Sequence, residues 1–222
     1  MKDRYVRQRD LINPKIFNQA ITIVGAGGIG SFLVLTLAKM GFKDIMVYDF
    51  DKVEDHNLPN QFYHPINIGQ SKVSSLNELV RGMTGTEIKV LNGQWLTKFK
   101  NQGVLISCVD NMDTRKAMFD YAIKNPKRVP WFIDGRMGRL QAEVYIVNTS
   151  NKRDIALYKS RLWKQSEVEN LRCTEKAIIY NVLFISAMIC AQMKLALEGK
   201  IYKPAMVADL ANSTFSFLKG EK

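Results

Sequence analysis

The residues best suited to chemistry begin with the run Gly25-Ala26-Gly27-Gly28-Ile29-Gly30. It fits the pattern G-x-G-x-x-G, set between an apolar run and a segment with helical spacing. Glycine lets a backbone turn tightly and approach a phosphate closely, and the amide groups at a helix start favour negative charge. Asp49 ends the next apolar run, where a carboxylate can accept a hydrogen bond from a ribose hydroxyl. Together these predict a nucleotide site. The pattern alone leaves NAD, FAD and ATP open. No G-x-x-x-x-G-K-[ST] segment occurs, which excludes P-loop chemistry.

Other reactive groups are few. None of the three cysteines, Cys108, Cys173 and Cys190, forms a C-x-x-C pair, so a zinc site built from four cysteines is excluded. Cys108 on a buried strand and Cys190 in an apolar helix are expected to pack. His56 and His64 are too few for a metal site and are expected in loops.

These groups need elements to hold them. Residues 21–27 and 44–50 read as buried parallel strands that flank a helix over 29–40, ended by Gly41. A helix over 69–83, strands over 87–93 and 103–110, and a helix over 113–125 continue the alternation. Two strands over 129–138 and 139–148 follow. Residues 149–170 read as a polar, irregular surface crossover, partly mobile. A long apolar helix and a strand pair around Pro204–Leu218 close the chain. The fold expected is α/β: a Rossmann-like, doubly wound, mostly parallel sheet with a C-terminal antiparallel extension. The 222 residues suit one domain, with an arm and short helix over 1–20, a nucleotide-binding half over 21–128, and strands, crossover and interface helix over 129–222.

Composition is that of an ordered globular chain, with 46% hydrophobic and 24% charged residues. The net charge of +11 favours polyanions: nucleic acid, nucleotide phosphates, an acidic partner or an anionic membrane surface. The basic residues are scattered, so a solvated surface explains them equally well. The polar start MKDRYVRQRD is no signal peptide, and with the odd cysteine count it points to a reducing, cytoplasmic setting. The apolar stretch Ala177–Ala196 is interrupted by Asn181, Ser186, Gln192 and Lys194. It is expected to fall short of a membrane span and to form a core or interface helix.

Several blocks, in order, resemble the ThiF/MoeB/HesA family, the bacterial relatives of ubiquitin-activating enzymes. Arg4-Tyr5-Val6-Arg7-Gln8 is similar to R-Y-x-R-Q, and the glycine turn has the G-x-G-G-x-G form. Asp49-Phe50-Asp51 is followed by Asn57-Leu58-Pro59-Asn60-Gln61-Phe62, which resembles N-L-x-R-Q-F. Gly69-Gln70-Ser71-Lys72 matches G-x-x-K, and Ser107–Asn111 with Arg115 matches C-x-D-N-x-x-x-R. Pro130–Val147 resembles the family's next strand pair, and Cys173 falls where the family has a late cysteine. The resemblance covers nearly the whole chain.

It implies an enzyme that uses ATP and Mg²⁺ to adenylate the C-terminal carboxylate of a ubiquitin-like or sulfur-carrier protein ending in Gly-Gly. It assigns ATP contacts to Asp49, Asn57, Gln61, Lys72 and Asp110; the turn glycines Gly25, Gly27, Gly28 and Gly30, with Asp51 and Asn60 of the matching blocks, complete the nucleotide site expected here. It assigns Mg²⁺ to Asp110, and Arg7 to the neighbouring subunit's nucleotide, hence a homodimer. The chemistry agrees: an anion attacking an anion needs cations around the phosphates, which Lys72 and an aspartate-held Mg²⁺ supply. Asn111 can instead cap the helix over 113–125, and Arg115 is expected in a structural ion pair. Cys173 precedes a helix between Arg172 and Lys176, a setting that favours thiolate. It can accept an acyl group or persulfide sulfur, or be a buried interface thiol.

The chain departs from the family at Asn60, where arginine is usual; Lys52, or Arg136 folded inward, can supply the missing charge. The family's zinc cysteines are absent. Two other readings stay open: a non-catalytic or tRNA-associated nucleotide-binding relative, and an NAD-dependent oxidoreductase.

Overall fold

The computed structural model describes residues 4–162 and 178–218. Cys173, with its neighbours Arg172 and Lys176, lies outside the described residues.

Strands β1 (Ile21–Val24), β2 (Ile45–Asp49), β3 (Lys89–Asn92), β4 (Val104–Ser107), β5 (Trp131–Gly138), β6 (Gln141–Asn148), β7 (Ala205–Asp209) and β8 (Thr214–Leu218) form one sheet. The eight run in the order β3-β2-β1-β4-β5-β6-β7-β8. From β3 to β5 all pairs are parallel, and from β5 to β8 all are antiparallel. The central strands ITIV and VLIS are buried throughout, because helices cover both faces of a parallel sheet. This is the expected Rossmann-like sheet with an antiparallel extension.

Helices α1 (Gly28–Met40), α2 (Lys72–Thr84) and α5 (Ile179–Leu197) build one core with Ile23, Leu33, Leu76, Ile185 and Ile189. Helices α3 (Met112–Lys124) and α4 (Lys152–Lys159) enclose the other around Phe119, Phe132, Tyr145 and Tyr158. Gly41 ends α1 at φ 113°, and its amide donates to the Leu37 and Ala38 carbonyls.

The structure corrects three expectations. Part of the irregular crossover is helix α4. Asn151 accepts the amides of Arg153 and Asp154, which caps the first turn, and Leu157 and Tyr158 bury one face. Eight residues give too short a periodic signal to stand out. Second, the helix read over 69–83 starts at Lys72; Gly69, at φ 83°, turns the chain first. Third, α5 meets a membrane span's requirements of length and composition. In this fold it is a packed helix against α1, β5 and β6. Two of its polar residues bond inside the fold: Asn181 donates through Nδ2 to the Arg139 and Gln141 carbonyls, although its Oδ1 is buried without a partner among the described residues, and Ser186 donates to the Ile29 carbonyl at 3.1 Å.

The N-terminal arm closes the sheet's opposite end. The Arg4 guanidinium donates to the Thr84 carbonyl and the Gln8 amide to the Met40 carbonyl, at the last turns of α2 and α1.

Candidate functional site

The chain leaves β1 toward β2 and β3, then returns to the other side of β1 with β4. The crevice at the C-terminal ends of β1 and β4 is therefore a topological switch point, where doubly wound sheets bind ligands. The glycine turn sits there. A Cβ on Gly25, at φ 97°, would lie 2.6 Å from the Cys108 carbonyl oxygen, and one on Gly30 would lie 1.9 Å from that of Gly25. Both glycines are required by the backbone itself. A Cβ on Gly28 would meet Val182 at 2.9 Å and the Asn60 carbonyl at 3.3 Å, whereas one on Gly27 would meet nothing within 4 Å. Gly27 borders open space, and no side chain caps the start of α1. The first amides of that helix are therefore available to an anion.

A relay of hydrogen bonds ties the turn to Lys72. The Ala26 amide donates to Asp49 Oδ2 at 2.6 Å, and the Asp51 amide to Asp49 Oδ1 at 2.8 Å. Lys72 Nζ then donates to Asp51 Oδ2 at 2.8 Å. Lys72 is 6% exposed, and its amide bonds the Asp51 carbonyl, so the helix start and the β2 loop form one unit. The ammonium expected to face phosphates is thus held by a carboxylate that is half exposed.

Residues 57–63 lie across the turn. The Phe62 amide donates to Ser31 Oγ at 2.9 Å, and the Tyr63 hydroxyl to the Ala26 carbonyl at 2.6 Å. Burial, then Asp49 and Asp51, push the Tyr63 hydroxyl pKa up, so it stays a neutral donor. Asn57 is buried and accepts the Glu54 amide through Oδ1, which fixes the turn before this segment. Gln61 Oε1 is buried with no hydrogen-bond partner.

Asp110 follows β4 and is exposed, without a hydrogen bond or ion pair among the described residues. Asn111 caps α3 by accepting the Thr114 amide, and Arg115 donates to Asp134 at 2.7 Å, in the structural ion pair expected. Arg136 also turns inward, but onto Asp134 at 2.6 Å and over the Tyr145 and Tyr158 rings. It does not supply the charge missing at Asn60. Sequence reasoning missed Asp134, which is fully buried among three partners and carried no motif. Burial raises the Cys108 thiol well above its ordinary pKa and pushes that of Cys190 up to about 12, in keeping with packing roles. His64 caps a short turn, accepting the Ile66 amide, and His56 lies exposed beside Glu54.

Arg7 is exposed on the arm, at the far end of α1 from its own glycine turn. Thirteen helical residues separate the two ends, about 20 Å at 1.5 Å per residue. Its own turn is out of its reach.

The site fits a nucleoside triphosphate. The open face over Gly27 and the uncapped helix start suit phosphates, and the orphaned Gln61 oxygen needs a donor. No cluster of three or more His, Cys, Asp or Glu gathers among the described residues. Asp110 is thus a single carboxylate, which suits Mg²⁺, an ion that completes its shell with phosphate oxygens and water.

Comparison with known proteins agrees with this geometry. The ThiF family model matches residues 8–219. Ubiquitin-like modifier-activating enzyme 5 of Drosophila erecta is 31% identical over 139 residues, 54% of this chain and 34% of that protein. The probable adenylyltransferase/sulfurtransferase MoeZ of Mycobacterium tuberculosis is 30% identical over 125 residues, 53% of this chain and 32% of that protein. The matched part thus spans about a third of these curated relatives. The crystal structure of E. coli MccB with AMPCPP and MccA shares the fold, with a TM-score of 0.78 at 14% identity over 100% of this chain and 72% of that chain.

Proposed function

Because this chain belongs to the ThiF family, we propose that it is an adenylyltransferase that uses ATP and Mg²⁺ to activate the C-terminal carboxylate of a ubiquitin-like or sulfur-carrier protein ending in Gly-Gly. The reading rests above all on the relay from the glycine turn through Asp49 and Asp51 to Lys72. It joins an anion-binding helix start to a buried cation.

In this reading ATP supplies the adenylyl group, which passes to the carboxylate oxygen as pyrophosphate leaves. The amides of α1's first turn hold phosphate oxygens. Asp49, beside them, orients the ribose. Gln61 Oε1 accepts a hydrogen bond from the nucleotide. Lys72 shifts from Asp51 toward the phosphates and offsets the charge that builds as the carboxylate approaches. Asp110 holds Mg²⁺. The protein works in the cytoplasm as a homodimer, in which Arg7 reaches the partner's nucleotide across the interface. The Cys173 thiolate then attacks the acyl-adenylate to form a thioester as AMP leaves, or carries persulfide sulfur received from a sulfane-sulfur donor protein.

The test is ATP–pyrophosphate exchange with candidate carrier proteins ending in Gly-Gly. Carrier-dependent exchange that disappears in Asp110→Ala supports the reading. A second reading draws on Asn60, where the family has arginine: a nucleotide-binding relative that does not adenylate. It predicts ATP binding with no exchange for any carrier. Tight NAD binding without exchange would point to an oxidoreductase and overturn both.

A further inference from the structure

The chain carries a net charge of +11, and its cations are scattered along the sequence, but the fold gathers six of them at one edge of the sheet. Around the glycine turn three cations are engaged, Lys72 by Asp51 and Arg115 and Arg136 by Asp134, while Lys52 is exposed. The opposite edge of the sheet differs. Lys15 precedes β1, Lys43 joins α1 to β2, Lys124 ends α3, Lys127 and Arg128 join α3 to β5, and Lys152 opens α4. The topology brings all six to the N-terminal edge of the parallel strands. Five are exposed and Arg128 is partly buried, and no acid pairs with any of them among the described residues. The nearby acid Asp44 is taken by Lys89 at 2.8 Å.

A cleft of about 570 Å³ lies in the middle of this edge, lined by Asn18, Gln19, Asp44, Gln102, Lys127 and Arg128 among others. Its apolar lining is limited to Ala20, Gly103 and Pro130.

We propose that this basic edge, centred on the cleft at Lys127 and Arg128, binds nucleic acid through its phosphates. The cations spread from β2 to β6, four strand spacings or about 20 Å. A duplex presents roughly one charge per 1.7 Å of axis, about a dozen over that length. Unpaired cations interleaved with amide side chains match phosphate and sugar oxygens. An acidic protein partner would call for an apolar or aromatic anchor at the centre, and a membrane surface for an inserted apolar side chain. The cleft has neither. The inference does not rest on the adenylation reading, since none of these residues belongs to that site.

The test titrates the full chain into a labelled RNA hairpin and a labelled 20-base-pair DNA duplex, following anisotropy from about 0.05 to 0.3 M salt. Binding whose logarithm falls linearly with the logarithm of salt is expected. Lys127→Gln/Arg128→Gln should weaken it at least tenfold and reduce the salt slope by about 2, near 0.7–0.9 per lost phosphate contact. Lys116→Gln/Lys159→Gln removes the same charge elsewhere and should leave affinity within about threefold. Lys15→Gln/Lys43→Gln, both exposed, should act like the first pair, and guards against misfolding at Arg128. Equal weakening by the Lys116/Lys159 pair would overturn the proposal. So would absence of binding at about 0.1 M salt, or equally tight binding of poly-glutamate or phosphatidylserine vesicles through the same residues.

Discussion

Arg115 Nε lies 2.7 Å from Asp134 Oδ1, with both side chains almost wholly removed from solvent. The same guanidinium donates through Nη2 to the Val109 carbonyl at 2.6 Å, so the pair fixes the residue next to Asp110. Arg136 and the Tyr158 hydroxyl take the second Asp134 oxygen. Asp134→Ala would strip two buried guanidinium groups of the carboxylate they share, leaving Arg136 only Glu143 at 4.0 Å. A loss of about 3–5 kcal/mol in urea unfolding is expected.

The same carboxylate sets an acid limit. Burial alone would raise its pKa, but Arg115 and Arg136 override that and hold it below the ordinary value of 3.8. A lowered folded pKa stabilises the protein above the unfolded carboxylate value, and the gain is lost as pH falls through the folded one. Unfolding free energy measured from pH 6 down to pH 2 should therefore fall below about pH 4, and the fall should shrink in Asp134→Ala.

Two glycines of one turn should fail differently. Gly30→Ala places a Cβ on the Gly25 carbonyl and should prevent a stable fold, seen as lost cooperative melting. Gly27→Ala meets no protein atom. It should melt within a few degrees of the parent, with a stability change of about 1 kcal/mol or less, while ATP affinity measured by calorimetry falls at least tenfold.

Gln61→Met should show the opposite signs for folding and binding. It removes a buried acceptor with no partner, so the free protein should gain up to about 1 kcal/mol. ATP binding should weaken by a similar factor in energy. Equal affinity in parent and variant would place the nucleotide elsewhere.

Lys72→Met tests the relay. Asp51 is half exposed and stays solvated without its partner, so stability should change by about 1 kcal/mol or less. Pyrophosphate exchange should fall by a factor on the order of 100.

The sheet was legible because its strands are short apolar runs punctuated by glycine, as at 21–25, and because β5 and β6 meet at a visible turn. The glycine turn and Asp49 were legible from spacing alone, though not that Asp49 spends both oxygens on the turn and the β2 loop. Helix α4 was hidden because eight residues rest on a cap and three buried side chains, Asp154, Leu157 and Tyr158. Asp134 was hidden because its meaning depends on Arg115, Arg136 and Tyr158, which converge only through tertiary pairing. Arg136 could be suspected of folding inward, but not which carboxylate would claim it.

The seating of Val182 beside Gly28 and of Ser186 on the Ile29 carbonyl joins positions more than 150 residues apart. During synthesis the glycine-rich segment leaves the ribosome long before the helix that braces it. A nascent chain therefore carries the turn without its brace until α5 docks, and nucleotide added to stalled chains should be retained only once translation has passed Leu197.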